Sequence, residues 1–392
     1  MTFVSGIRRA AELTRAGRLE EATRAIQRAL AGNPAEQVAP PSNPPAAPSP
    51  SSRESRTWRN SGADIVDVEH RIIGPGTPAT PDAPDSQIGS QSRAPHEHTS
   101  SARAASFTLH HLHAEGHRYR YRLYIPAATG PAVAMPLLVM LHGCKQDSDD
   151  FARGTAMNEV AAREGCMVLY PEQLRRSNSM GCWNWFDPAH QKRGAGEPEV
   201  IASMVRHVAS SHPVDASRVY IAGLSAGGAM AALMGELYPE LFAAVGVHSG
   251  LGAHSAHDVT SALRAMRNGG APATPAGAAP AVPTIVFHSL DDKTVTARNG
   301  DAVVSRQVTA HETRGMRLVA EQKPCGADEA QGRATTRTAW VDADGNARLE
   351  KWVLRGAPHA WSGGNTAGSF TDASGPKASE AMVKFFLHHR RS

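Results

Sequence analysis

Short apolar runs alternate with longer amphipathic segments through the last two thirds of the chain. The apolar runs have the length of buried strands, and the segments between them have the spacing of helices. We predict strands at residues 119–125, 136–141, 166–170, 218–224, 242–248 and 284–288, and helices at 154–163, 199–210, 226–237, 298–311 and 377–389. Strands that alternate with helices of this length form a mostly parallel sheet, so residues 106–392 are predicted to be one α/β domain.

The first 105 residues follow a different pattern. Residues 7–31 have the periodicity of two amphipathic helices, which predicts a tetratricopeptide-like hairpin over residues 1–32. One hairpin cannot bury its apolar face alone, so it would pack on the α/β domain, self-associate, dock on a partner or remain a marginally stable arm. Residues 33–105 are rich in Pro, Ser and Ala and predict a disordered linker. Within this linker, residues 63–73 alternate between apolar and polar positions. They are predicted to be a strand, a docking motif or an unstructured apolar patch.

Composition and charge exclude several functional classes. The chain has 392 residues and a net charge of +4, without the basic runs expected of proteins that bind nucleic acid or membrane surfaces. No apolar run approaches the roughly 18 residues that a membrane span requires. The first 17 residues lack an apolar stretch ahead of their charges, which predicts no secretory signal and a cytoplasmic protein; secretion is the alternative.

The four cysteines do not decide the compartment. Cys144, Cys166, Cys182 and Cys325 fit either reduced thiols or two disulfides. A cytoplasmic location favours free thiols, and the most plausible pair under oxidising conditions is Cys144 with Cys182.

Residues 223–227 form a Gly-x-Ser-x-Gly box between the apolar run 218–224 and a helix of small residues. This order of strand, tight turn and helix is typical of a nucleophile elbow, in which glycines leave room for a sharply turned serine. The box predicts Ser225 as a nucleophile. The backbone N–H of Ala226, at the start of the helix, is then placed to stabilise a tetrahedral oxyanion.

A carboxylate and a histidine follow the serine in the order that this chemistry needs. Asp292 comes just after the strand 284–288, and we prefer it to Asp291 because the spacing His-x-x-x-Asp-x-x-Val is similar to acid-bearing loops of α/β-hydrolases. The alternative is that both aspartates only make hydrogen bonds within the turn. His359 lies in a glycine-punctuated loop after a predicted hairpin at residues 335–354, which makes it the candidate base.

The other histidines are predicted to be structural or solvated. Three of them, His142, His248 and His288, lie at the ends of predicted strands near the predicted site. We interpret them as neighbours of the site rather than as its base. The spacing of His254 and His257 is too weak to predict a metal site. We therefore expect neither a metal nor an organic cofactor.

Two further features complete the predicted site. The loop after strand 136–141 should supply the second oxyanion donor, which we assign to the backbone N–H of Cys144. Trp183, Trp185 and Trp361 are candidates for an apolar wall against the substrate, with Trp185 preferred; the alternative is that these rings only pack within the domain.

Six sequence blocks in this order closely resemble the polyhydroxybutyrate depolymerase family of esterases, which is related to feruloyl and acetylxylan esterases. The blocks are HGCKQD, GTAMNEVAAREGCMVLYPEQ, CWNWF, GEPEVIASMV, GLSAGGAMA and GAPHAWSGG. The resemblance covers residues 106 to the C-terminus. It implies an α/β-hydrolase fold and a serine triad of Ser225, Asp292 and His359, with Cys144 and Ala226 as oxyanion donors.

The resemblance also implies the class of substrate. Family enzymes cleave esters of short hydroxyalkanoates or of acylated plant polysaccharides, so the expected partner is an ester polymer or oligomer. A small-ester carboxylesterase is an alternative. A hypothesis of another class is a granule-associated or assembly protein recruited through residues 1–32. The lack of a predicted secretory signal counts against scavenging of extracellular polymer.

Overall fold

The computed structural model describes residues 104–391 apart from 115, 129–132, 271–278, 324 and 326–331. It also describes six helical residues near the N-terminus, namely Arg9, Glu12, Leu13, Glu21, Arg24 and Ala25. The remainder of the predicted hairpin over 1–32 lies outside the described residues, as do the predicted linker up to residue 103 and its segment at 63–73.

The described residues form one large twisted sheet with helices on both faces. The strands are β1 (Ser106–Ala114), β2 (His117–Ile125), β3 (Met135–Leu141), β4 (Met167–Glu172), β5 (Val214–Leu224), β6 (Ala244–His248), β7 (Thr284–Ser289), β8 (Val319–Lys323), β9 (Thr335–Val341) and β10 (Ala347–Leu354). Their order in the sheet is β1-β2-β4-β3-β5-β6-β7-β10-β9-β8. The six central strands of this order run parallel, namely β4, β3, β5, β6, β7 and β10. The flanking strands pair antiparallel.

Helices cover the sheet on two sides. Within residues 104–391 they are α1 (Ser148–Thr155), α2 (Met157–Glu164), α3 (Gly196–Ser211), α4 (Ala226–Leu237), α5 (Val259–Asn268), α6 (Arg298–Thr313) and α7 (Ala378–Leu387). Alternation along β3 separates two cores: Leu137 and Val139 pack with α3 and α4, whereas Leu138 and Met140 pack with α1, α2 and α7. This arrangement confirms the predicted α/β fold.

Most predicted elements are present, and the exceptions have local causes. The helix predicted at 154–163 is two helices, because Ala156 adopts a left-handed conformation (φ 50°) between them. Gly154, near the end of the first helix, packs closely on a distant loop: a Cβ atom there would lie 3.0 Å from Thr371 Cγ2 and 3.4 Å from Gly368 Cα. The prediction did not include strands β1 and β8 or helix α5; β8 has only two apolar residues, whereas α5 is amphipathic and was missed.

The hairpin predicted at residues 335–354 is confirmed as β9 and β10. Its turn contains Gly345 at φ 80°. A short parallel pair, β11 (Trp361–Ser362) and β12 (Thr371–Asp372), follows the hairpin. Among the described residues, no helix has the length and apolarity needed to cross a membrane.

Candidate active site

Ser225 lies on a sharply strained turn between β5 and α4. Its backbone adopts φ 58° and ψ −119°, and its N–H donates to the carbonyl of His248 at 2.9 Å. A Cβ atom at Gly223 would lie 2.4 Å from the Gly227 carbonyl, and one at Gly227 would lie 2.1 Å from the Leu141 carbonyl oxygen. The two glycines of the box are therefore required by close backbone packing, and a strained backbone of this kind is typical of a functional turn.

The carboxyl ends of four parallel neighbours, β5, β6, β7 and β10, bring the predicted residues to one edge of the sheet. Asp292 follows β7 and His359 follows β10, and His359 Nδ1 lies 2.6 Å from Asp292 Oδ2. The other carboxylate oxygen of Asp292 accepts the N–H groups of Thr294 and Val295, each at 2.8 Å. The Asp292 side chain is fully buried, whereas that of His359 is 12% exposed. The acid is thus fixed, and the histidine remains within reach of the crevice.

The environment of Asp292 keeps this group ionised. Burial opposes ionisation, but the hydrogen bond and charge of His359 together with the N–H groups of Val295 and Thr294 outweigh it, so the pKa of Asp292 lies below its usual value. A carboxylate can only accept hydrogen bonds, so Nδ1 of His359 carries the proton. In the neutral ring the second nitrogen, Nε2, then carries no proton, which is the form required of a general base.

Asp291 has a different task from its neighbour. Its Oδ2 accepts the Gly356 N–H at 2.6 Å, which ties the loop after β7 to the loop that leads to His359. The alternative of hydrogen bonds only within the turn therefore describes neither aspartate: Asp291 links two loops, and Asp292 contacts the histidine as well as the turn.

Two buried histidines brace the site. Nε2 of His248 accepts the Ser362 N–H at 2.9 Å while its carbonyl accepts the N–H of Ser225, so His248 connects the elbow to the loop that carries His359. Burial, followed by the nearby histidines, lowers the pKa of His248 to about 3, and the ring is neutral. Nε2 of His288 lies 2.9 Å from the Val295 carbonyl, which steadies the loop of Asp292.

The loop after β3 lies directly against the elbow. Gly227 packs on the carbonyls of Leu141 and His142, and Leu141 is paired with Gly223 in the sheet. The N–H groups of Cys144 and Ala226, predicted as oxyanion donors, donate to no acceptor among the described residues. Both N–H groups are therefore available to a bound ligand.

Cys144 is joined to Cys182 by a disulfide with a Cα–Cα distance of 4.3 Å. The expectation of free thiols is wrong for this pair, and the pairing predicted for oxidising conditions is confirmed. Cys166 is a buried thiol, and burial raises its pKa to about 12. The bridge ties the predicted oxyanion loop to the loop that carries Trp183 and Trp185.

Removing this bridge should lower both stability and turnover. The cysteines are 38 residues apart, and closing a loop of that size contributes about 3–4 kcal/mol in the chain-entropy account. We expect the double variant Cys144→Ala/Cys182→Ala to lose about this much unfolding free energy and up to about 10²-fold in kcat, because the Cys144 N–H loses its support. Chemical denaturation and ester hydrolysis measure the two effects. Cys166→Ala is the control, and unchanged stability and kcat in the double variant would contradict the expectation.

The predicted tryptophan wall is wrong. Trp361 is 1% exposed, donates from Nε1 to Ser379 Oγ at 3.0 Å and stacks on His248, so it belongs to the core. Trp183 and Trp185 are 3% and 5% exposed, and Trp183 donates from Nε1 to the His142 carbonyl at 3.1 Å. These rings fasten the loops of the site instead of facing a substrate.

Two exposed apolar side chains that the sequence did not single out adjoin Asp291 and Trp361. Leu290, directly before Asp291, is 48% exposed. Phe370 is 41% exposed at φ 50°, and its carbonyl accepts the Trp361 N–H at 2.7 Å. A lone apolar residue in a loop gives no periodic signal, so the pattern could not identify them.

Comparison with known proteins places the chain in a family. Residues 119–322 match the family model described as Esterase PHB depolymerase. Poly(3-hydroxyalkanoate) depolymerase C of Paucimonas lemoignei is 29% identical over 243 residues, which are 59% of this chain and 56% of the relative. Feruloyl esterase B of Neurospora crassa is 37% identical over 135 residues, 34% of this chain and 44% of the relative. The chain spans about half the length of these curated relatives.

A solved structure supports the fold. The acetyl xylan esterase from Aspergillus awamori superposes with a TM-score of 0.50 at 20% identity, covering 64% of this chain and 94% of that one. The family match extends over more than half of the chain and includes β5, the elbow and β7. The protein therefore belongs to the esterase PHB depolymerase family and has an α/β-hydrolase fold.

Proposed function

We propose that this protein is a serine carboxylesterase that works through an acyl-enzyme. The observation that carries the proposal is the 2.6 Å contact between His359 and Asp292 at the sheet edge where Ser225 is held on its strained turn. The site thus combines an ionised acid, a histidine with its proton on Nδ1 and a serine. These are the parts of the catalytic triad of serine hydrolases.

The reaction follows from these positions. Ser225 Oγ attacks the ester carbonyl while Nε2 of His359 takes the hydroxyl proton, and Asp292 stabilises the imidazolium. The N–H groups of Ala226 and Cys144 stabilise the oxyanion; loss of one such donor typically costs about 10²- to 10³-fold in kcat. The tetrahedral intermediate collapses, and the alcohol leaves with the proton from His359. Water, activated by the same histidine, then releases the acid and restores Ser225.

Esters of hydroxyalkanoates, as polymer or oligomer, are the substrates we favour. The support is that the match to the depolymerase of Paucimonas lemoignei covers 59% of this chain, whereas the match to the feruloyl esterase covers 34%. The burial of the three tryptophans also removes the flat wall that an aromatic acid would use. We propose Leu290 and Phe370 as contacts for an aliphatic acyl chain. Feruloyl, acetylxylan and small esters are the alternatives.

A substrate panel tests this choice. We expect the highest kcat/KM with hydroxybutyrate oligomers, compared at equal ester concentration with methyl ferulate, acetylated xylan and p-nitrophenyl acetate. Phe370→Ala should raise KM for the oligomers more than for p-nitrophenyl acetate, because the smaller ester has little apolar chain to bind. Preference for ferulate or xylan would favour an alternative substrate and leave the esterase chemistry in place.

The disulfide bears on where the protein works. Disulfides persist mainly in oxidising compartments, so we propose that the protein functions outside the reducing cytoplasm, contrary to the expectation from its first residues. Self-association or granule docking through residues 1–32 also remains a proposal. Co-sedimentation with polyhydroxyalkanoate granules, with and without residues 1–104, tests it, and equal partitioning would remove the recruitment hypothesis.

A further inference from the structure

Glu197 is a buried carboxylate that the proposed reaction does not use. It lies in the first turn of α3, is 6% exposed and forms no ion pair with a lysine or arginine in the described part of the chain. Its Oε1 accepts Gln173 Nε2 at 2.5 Å and Asn184 Nδ2 at 2.6 Å, and its Oε2 accepts the Asn184 N–H at 2.7 Å. Burial raises the pKa of Glu197, and the nearby His190 together with the three donors offsets only part of this effect. A buried acid with so many donors is a rigid anchor.

Gln173 connects this anchor to the loop after β3. Because Glu197 accepts hydrogen bonds, the side-chain amide of Gln173 must turn its Nε2 toward it, and the same Nε2 donates to the Cys182 carbonyl at 2.9 Å. Oε1 of Gln173 accepts the Leu174 N–H at 2.9 Å. These contacts hold the backbone of Gln173, whose N–H donates to Nε2 of His142 at 3.1 Å.

The Gln173 N–H determines the tautomer of His142. A ring nitrogen that accepts an N–H carries no proton, so the proton of His142 lies on Nδ1, which donates to the Gly143 carbonyl at 2.8 Å. The ring is 1% exposed, and burial lowers its pKa, which keeps it neutral. The Gly143 carbonyl and the Cys144 N–H belong to one trans peptide and point in opposite directions. Holding the carbonyl toward the ring therefore turns the Cys144 N–H away from it.

We propose that Glu197 and Gln173 are positioning residues that fix the tautomer of His142 and thereby orient the Gly143–Cys144 peptide with its N–H toward the substrate oxyanion. The proposal rests on the proposed esterase function. In the opposite tautomer, Nδ1 of His142 would carry no proton. It would then face the Gly143 carbonyl oxygen, and two hydrogen-bond acceptors would lie in contact. That repulsion would disfavour the observed orientation of the peptide, whose carbonyl also accepts the Gln146 N–H at 3.3 Å, and would weaken the oxyanion donor.

The variant Glu197→Gln tests the network. The side-chain amide of the new glutamine has one acceptor oxygen and one NH2 donor. The NH2 group would face an N–H group of Gln173 or Asn184, so at least one of the three hydrogen bonds is lost. We expect kcat for p-nitrophenyl butyrate to fall about 10- to 100-fold. This loss does not exceed the one caused by removing an oxyanion donor completely. KM should change less than about twofold. Glu199→Gln is the matched control on the same helix, since Glu199 contacts Arg206 and Tyr238 and stands outside the network. It should keep its kcat.

A spectroscopic readout separates positioning from general stability. In the folded wild type, ¹⁵N NMR of the His142 ring should show a protonated Nδ1 and an unprotonated Nε2, and Glu197→Gln should show a mixture of the two tautomers. Gln173→Met is the second variant if Glu197→Gln does not fold, with the same shift expected. Retained kcat, or a lower kcat with unchanged His142 signals, would overturn the proposal. Failure of the wild type to hydrolyse any ester would instead overturn the proposed function, and the His142 tautomer would still be read directly.

Discussion

Ser225→Ala should lower kcat for p-nitrophenyl butyrate by about 10⁴- to 10⁶-fold, the largest effect expected of any single substitution in this protein. Ser225 is the residue that the turn between β5 and α4 presents, and alanine supplies no nucleophilic oxygen. The hydroxyl makes no hydrogen bond within the described residues that the fold would lose, so the variant should fold. Steady-state rates with the purified full chain, read against the uncatalysed reaction, measure the effect.

Ser249→Ala is the matched control. Ser249 is also a buried serine with positive φ (47°), and it directly follows the neighbouring strand β6. Its Oγ contacts Nδ1 of His248 at 3.2 Å rather than the crevice, so we expect a loss below about tenfold, the size of one buried hydrogen bond. Equal rates for wild type and Ser225→Ala would end the assignment of the nucleophile.

Asp292→Asn should lower kcat by about 10⁴-fold while leaving the fold intact. Asparagine can donate a hydrogen bond to Nδ1 of His359, which favours the tautomer with its proton on Nε2. The ring would then have no free nitrogen toward Ser225. The Thr294 and Val295 N–H groups still find an oxygen acceptor, so the loop is preserved. Rates at saturating p-nitrophenyl butyrate and a thermal melt distinguish lost chemistry from lost structure.

Asp291→Asn distinguishes the two adjacent aspartates. Asp291 is exposed, and its side chain accepts the backbone N–H of Gly356, a contact for which asparagine keeps an oxygen. We expect its kcat to stay within about threefold of wild type, as for most surface substitutions. A large loss in Asp291→Asn together with a small one in Asp292→Asn would exchange the two roles and contradict the structure.

The parts of the site that sequence reasoning predicted are those set by local geometry. The glycine spacing around Ser225 follows from one tight turn, and α4 begins and ends where the pattern places it. Asp292 follows a strand that an apolar run predicts and His359 follows the predicted hairpin, and because β7 and β10 are neighbours in the sheet, their loops meet. Order along the chain and strand ends therefore suffice to pair them.

The missed features depend on contacts between distant segments. Nothing local distinguishes Trp361 as a wall from Trp361 as core; its burial comes from packing with His248 and Phe151. Glu197 appears in the sequence as an ordinary acidic residue of a first helical turn, and only the fold brings Gln173 and Asn184 to it. A helix period cannot reveal such a network, because its donors come from two other segments of the chain.

Covalent labelling of the nucleophile tests the central claim most directly. Incubation of the full chain with diethyl p-nitrophenyl phosphate, followed by digestion and mass spectrometry, should place one diethylphosphoryl group on Ser225, and activity should fall in proportion to labelling. Ser225→Ala should remain unlabelled. A stoichiometric label on another residue, or full esterase activity after complete labelling of Ser225, would contradict the account.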